Sequence, residues 1–154
     1  MTAIFSGPDI AALLRDCGIT HVVTVPDSTL GQWESDIEAI GIRLIRVCRE
    51  GEAWAVAAGL YLGSARPLVM IQCTGLFESG DSLRNVLHDW QLPIPSLIGY
   101  RSYLNQDTLP GDTCLTFTEP ILRAWNLDYR LVTEPAHFDV MADHLRTSFA
   151  EGKA

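Results

Sequence analysis

From Ala53 to Gly63 the chain runs Ala-Trp-Ala-Val-Ala-Ala-Gly-Leu-Tyr-Leu-Gly without a charged residue, so a helix in this stretch has no polar face. A helix that is apolar all round belongs in a protein interior, and this one is too short to cross a bilayer, which takes about 20 residues. The stretch therefore calls for protein on every side. Ala55, Gly59 and Gly63 recur every four residues, a stripe with nothing larger than a methyl group along which another backbone can approach closely. The spacing predicts a packing seam, of a kind that can lie between subunits.

Directly before this helix stands Arg49-Glu50-Gly51-Glu52. The partial positive charge of a helix N-terminus favours acids there, so Glu50 and Glu52 read as first-turn acids that satisfy backbone amides. Glu50, at the rim of a dry seam, also reads as a carboxylate available for chemistry. Spacing alone leaves both readings open.

The order of elements bears on that choice. Ser6, Pro8 and Asp9 start a helix over about 8–17, closed by Gly18. His21–Val25 is a β-branched run that ends at Pro26-Asp27-Ser28 and leads to a helix over 29–39. Arg43–Cys48 reads as a second strand delivering the chain to Glu50, and Pro67–Cys73 as a third, continuously apolar as buried parallel strands are. Thr74-Gly75 opens a helix ending near Trp90, and Pro95–Tyr100 is a fourth strand. A polar loop follows over 101–118, then a helix over 118–125, a short strand over 129–132 and a closing helix over 135–149. Alternating strands and helices imply an α/β fold with three layers, α/β/α, around a mostly parallel sheet. Ligands of such sheets bind outside the carboxyl ends of the strands. Those ends carry Asp27-Ser28, Glu50, Thr74-Gly75 and Tyr100-Arg101, four loops expected at one crevice edge.

Composition narrows the partners. The 154 residues, 47% hydrophobic and 19% charged, suit one domain over 1–154. The formal charge is −8 and the basic residues are scattered, which argues against nucleic acid. The start of the chain lacks a basic, then apolar leader, so a cytoplasmic location is expected, with no membrane contact. Cys17, Cys48, Cys73 and Cys114 form no Cys-x-x-Cys pair, and the four histidines are dispersed, so no metal site and no disulfide framework is expected. Gly-x-Gly-x-x-Gly, the P-loop and Gly-x-Ser-x-Gly are all absent.

Val25-Pro26-Asp27-Ser28, Arg49-Glu50-Gly51-Glu52-Ala53 with Ala57-Ala58-Gly59-Leu60-Tyr61-Leu62-Gly63, and Gln72-Cys73-Thr74-Gly75-Leu76 occur in this order. Together they resemble the pyrimidine-binding (Pyr) part of thiamine diphosphate enzymes, which has a flavodoxin-like fold, and most closely the alpha subunit of two-chain sulfopyruvate and phosphonopyruvate decarboxylases. The resemblance covers most of the chain. It implies that Glu50 hydrogen-bonds the aminopyrimidine of thiamine diphosphate and favours its imino tautomer, work that a desolvated site assists. It implies Pro26, Asp27, Thr74, Gly75 and Leu76 as cofactor neighbours, with Ser28, Glu78 and Arg101 toward a small 2-oxo acid.

The chain lacks the Gly-Asp-Gly that holds the diphosphate through Mg2+ in this family; Gly80-Asp81-Ser82 and Gly111-Asp112-Thr113 share only two letters of it. The resemblance therefore implies a separate beta subunit carrying that motif, in an α2β2 or larger hetero-oligomer. Two departures bear on the substrate: Phe77-Glu78 stands where small and amide residues are expected, and the loop after Arg101 lacks an acid-proline-glutamine-histidine run. Two alternatives remain at this stage. One is a carboligase subunit, which joins the acyl group left by decarboxylation to a second carbonyl compound. The other is a flavodoxin-like module without catalysis.

Overall fold

The computed structural model describes residues 4–152. The first three residues of the stretch read for a leader, and the last two of the expected domain, lie outside the described residues.

Among the described residues, four parallel strands form the sheet: β1 (His21–Thr24), β2 (Arg43–Arg46), β3 (Pro67–Gln72) and β4 (Ser96–Gly99), in the order β2-β1-β3-β4. Val22 and Val23 of β1 lie in register with Leu44 and Ile45 of β2, and with Leu68 and Val69 of β3. Because side chains alternate across a strand, Val22, Leu68 and Met70 join one core while Val23, Val69 and Ile71 join the other. Helices α1 (Gly7–Asp16), α2 (Glu34–Ala39) and α6 (Phe138–Glu151) supply Ile10, Leu14, Ile37 and Leu145 to the first core. Helices α3 (Glu50–Leu62), α4 (Cys73–Arg84) and α5 (Thr113–Ala124) supply Trp54, Ala57, Leu76, Leu83 and Leu122 to the second. The result is the expected three-layer α/β/α arrangement.

Local chemistry accounts for the helix ends. Ser6 caps α1 by accepting from the Asp9 amide, and Asp112 caps α5 by accepting from the Cys114 amide. That second cap corrects one expectation: α5 starts at Thr113, not 118, and carries Pro120 inside it. The helix expected over 29–39 is a 3-10 turn over Leu30–Trp33 followed by the short α2. The helix expected to run to Trp90 breaks at Gly80, whose φ of +24° leaves helical geometry, and continues as a π turn over Asn85–Asp89.

The strand expected over 129–132 is absent from the sheet. Its side chains are held locally instead: the Tyr129 hydroxyl donates to Glu119, and Arg130 pairs with Asp128. A cavity of about 270 Å³ is lined both by this segment and by β4, with Tyr100, Leu122 and His144 also on its wall.

The expectation for the apolar helix is corrected as well. Ala53, Trp54, Ala57 and Ala58 of α3 are buried, but Ala55, Gly59 and Gly63 are exposed and Leu62 is 60% exposed. The chain covers one face of α3 and leaves the small-residue stripe open. Among the described residues, no helix is long and apolar enough to cross a membrane.

Candidate functional site

The carboxyl ends of β1, β2, β3 and β4 lie on one edge of the sheet because all four strands are parallel. Glu50 is the first residue of α3, just after β2, and Gly75 lies in the first turn of α4, just after β3. The two meet: a methyl group on Gly75 would collide with Cγ of Glu50 and stand 2.6 Å from its Oε1. Only glycine leaves that seat, so the Glu50 side chain rests against the α4 backbone.

Several contacts hold the seat in place. The buried Ser79 hydroxyl donates to the Gly75 carbonyl at 2.6 Å and accepts from the Trp54 indole N–H at 2.9 Å. A mid-helix serine bonded to the carbonyl four residues back is a local option of this side chain, and here it also satisfies a buried indole that would otherwise be orphaned. Arg49, the residue before α3, makes no side-chain cap. Glu78 of α4 fills that role from outside, accepting from the Gly51 amide at 2.7 Å and from Arg49 Nε and Nη2 at 2.9 and 2.6 Å. The Gly51 amide, and then the Arg49 guanidinium, hold the Glu78 carboxyl below its ordinary range.

Glu52 reaches back to the Cys48 amide at 3.2 Å, as a first-turn acid does. The carboxylate of Glu50, by contrast, accepts no hydrogen bond from the described residues. The reading of these two acids as a matched pair of amide caps fits Glu52 and not Glu50.

A second unpaired oxygen lies on the neighbouring loop. Asp27 Oδ1 accepts from the Thr29 and Leu30 amides at 2.8 and 2.6 Å, forming the turn after β1. Its Oδ2 is buried without a partner, a state that costs stability unless something outside the described chain meets it. Leu30 then packs on Gly99 at the end of β4, so the Asp27 turn touches the far side of the sheet edge. Pro26, Ser28 and Thr74 are exposed along this edge, whereas Gly75 and Leu76 are buried.

Arg101 lies apart from the Glu50 seat. Its Nε pairs with Asp112 Oδ2 at 3.0 Å, and Asp112 also accepts from the Ser102 hydroxyl and the Cys114 amide. Those contacts, the Ser102 hydroxyl first, bring the Asp112 carboxyl down to about 2. Cys73 and Cys114 are buried neighbours, and burial together with the Cys73 contact pushes the Cys114 thiol up to about 12. The Cys114 thiol therefore stays protonated at neutral pH and is no nucleophile there.

Sequence reasoning named Glu50, Gly75 and Glu78 and missed Arg49, Trp54 and Ser79 as their supports. The four-residue step from Gly75 to Ser79 was the available signal.

No family model matches the chain. Over 148 residues, 95% of this chain, it is 28% identical to phosphonopyruvate decarboxylase of Streptomyces viridochromogenes, and it spans 36% of that protein. Over 132 residues, 85% of this chain, it is 26% identical to sulfopyruvate decarboxylase subunit alpha of Methanothermobacter thermautotrophicus, and it spans 80% of that subunit. The solved structure of benzoylformate decarboxylase from Polynucleobacter necessarius superimposes with a TM-score of 0.54 at 23% identity, over 65% of this chain and 20% of that one. That likeness shows a shared fold. The chain thus spans about a third of one decarboxylase and most of the alpha subunit of another, and its similarity at the sequence level is to decarboxylases.

Proposed function

We propose that this chain is the Pyr-domain subunit of a two-chain, thiamine diphosphate-dependent 2-oxo acid decarboxylase, with Glu50 activating the cofactor. The observation that carries the reading is the Glu50 seat: a carboxylate packed on Gly75, with no hydrogen bond from the described residues, at the carboxyl edge of a parallel sheet. Its resemblance to the alpha subunit of a sulfopyruvate decarboxylase supports the same reading.

The residues fit an aminopyrimidine. Such a ring brings both donors and acceptors, and the chain offers it the Glu50 carboxylate and the unpaired Asp27 Oδ2. The electron sink for decarboxylation is chemistry that thiamine diphosphate supplies when bound, and the protein's part is binding, orientation and electrostatics. Glu50 would hold the aminopyrimidine ring by its carboxylate, sharing a proton with a ring nitrogen. Gly75 keeps the space for that carboxylate, and Leu76 closes the site from the core side. Asp27 holds the β1 turn with one oxygen and offers the other as an acceptor, with Pro26 and Thr74 bordering the same edge. Ser28 and Arg101 stand toward the substrate, Arg101 exchanging Asp112 for an anionic group.

The open stripe of Ala55, Gly59 and Gly63 receives the partner chain, which shields Glu50 from water. That partner is a beta subunit carrying Gly-Asp-Gly, with Mg2+ and the diphosphate on its side, in an α2β2 or larger assembly in the cytoplasm. The test is to co-express the chain with a Gly-Asp-Gly chain and measure carbon dioxide release from a panel of 2-oxo acids, with thiamine diphosphate and Mg2+. Release that requires both chains is the expected result. A well-formed complex that releases none from any 2-oxo acid would contradict the proposal.

A further inference from the structure

Among the acids near the sheet edge, Glu78 is engaged at both oxygens, and both contacts are to the start of the helix that carries Glu50. Oε2 accepts from the Gly51 amide and Oε1 from the Arg49 guanidinium, which flank Glu50 on either side in sequence. The first turn of a helix leaves its amides without internal partners, and α3 has no cap of its own from Arg49. The Glu78 carboxylate supplies one from the neighbouring helix, and its charge opposes the partial positive charge of the α3 N-terminus. Glu78 lies three residues after Gly75 on α4, so one helix presents both the surface on which the Glu50 side chain rests and the acceptor that fixes the Glu50 backbone.

Resting on the decarboxylase reading above, we infer that Glu78 is a positioning residue: it pins the first turn of α3 so that the Glu50 carboxylate sits on Gly75, and it does not itself bind substrate. Direct substrate contact by Glu78 would cost it the Arg49 or the Gly51 hydrogen bond. An exposed surface ion pair alone contributes little, but a displacement of about 1 Å at a reacting group can cost about 10²-fold in rate, so the effect belongs in turnover and not in stability. The Glu78 side chain is 30% exposed, which leaves it open to substitution without opening the core.

The experiment compares wild type with Glu78→Ala and Glu78→Gln by two readouts. In amide spectra of the full chain, Glu78→Ala should raise hydrogen exchange at the Gly51 amide at least about tenfold, while the Trp54 indole signal, bonded to Ser79, stays in place and reports an intact fold. Glu78→Gln keeps an acceptor and should restore part of that protection. In the assembled enzyme, Glu78→Ala should lower kcat by about 10- to 10²-fold with KM for the 2-oxo acid within about twofold of wild type, and Glu78→Gln should fall between. Unchanged exchange at Gly51, or a raised KM with kcat held, would overturn the inference; the latter would assign Glu78 to the substrate. Glu50→Gln runs beside them. If it keeps turnover, the decarboxylase reading fails and the Gly51 amide alone decides whether Glu78 pins the turn.

Discussion

Helices α1 and α3 cover opposite faces of the same sheet and are completed by different means. α1 carries its own cap in Ser6, buries Ile10, Ala11, Leu13 and Leu14, and turns Asp9, Arg15 and Asp16 to solvent. Its two faces are both finished within the chain, as for an ordinary amphipathic helix. α3 takes its cap from Glu78 on another helix, buries only the side bearing Trp54 and Ala57, and leaves Ala55, Gly59 and Leu62 open. Glu50, whose carboxylate accepts no hydrogen bond from the described residues, opens this unfinished helix. The lesson is that α1 is finished by its own cap and core, whereas α3 draws its cap from another helix and keeps an open small-residue face that the proposed partner would cover.

The comparison is sharpened first at the α1 core. Leu14→Ala removes a side chain with no exposure and should lower stability by about 2–5 kcal/mol, read as a shifted urea midpoint. A loss below about 1 kcal/mol would mean that α1 is not packed as described. On the other helix, Gly75→Ala should displace Glu50 and cost about 10²-fold in turnover of the assembled enzyme, measured as kcat; wild-type kcat would place Glu50 elsewhere during the reaction.

Gly59→Leu separates the two helices most cleanly. Among the described residues, nothing beyond the adjoining helix backbone lies within 4 Å of a Cβ at Gly59, so the isolated chain should fold normally, while association with the partner weakens by about 1–3 kcal/mol or more through overpacking. Light scattering on the mixed chains measures it, and unchanged association would show that the partner docks elsewhere. Ser6→Ala, at the self-capped end of α1, should cost only about 1 kcal/mol by the same urea assay and leave association untouched.

The smallest effect is at acid pH. Asp112, which caps α5, has its folded value lowered to about 2 from 3.8. A lowered value contributes stability that is present above about pH 4 and lost as pH falls from about 4 toward 2. Asp112→Asn should flatten that part of the urea midpoint against pH; an identical profile would show that the Ser102 and Cys114 contacts do not carry the cap.

Much of this was legible in the sequence because local rules and tertiary packing agreed. Ser6 and Gly18 bracket α1, the β-branched run to Val25 and the apolar run to Cys73 each end one residue past β1 and β3, and Glu50 does open α3. Reading failed where the deciding contact was distant or the local signals competed. Tyr129–Val132 has a strand's composition, yet Tyr129 finds Glu119 and the segment stands across a cavity from β4. The start of α5 was hidden because Pro110-Gly111-Asp112 reads as a turn, although Asp112 then caps the helix. The apolar pattern of α3 led to the expectation of cover on all sides, whereas the chain covers only the face bearing Trp54 and Ala57, because a pattern without charges does not say which neighbours a helix has. At the candidate site, the position of Glu50 followed from its strand and helix; the seat on Gly75 and the clasp by Glu78 depend on two helices meeting, which no single segment encodes.

The most direct test of the central claim is carbon dioxide release by the assembled two-chain enzyme with Glu50→Gln, on whichever 2-oxo acid the wild type accepts, with assembly checked by light scattering. Glutamine keeps the shape and removes the proton-sharing carboxylate, so the account predicts intact assembly and a loss of about 10²- to 10⁴-fold in turnover. Turnover at the wild-type level from an equally assembled complex would contradict it.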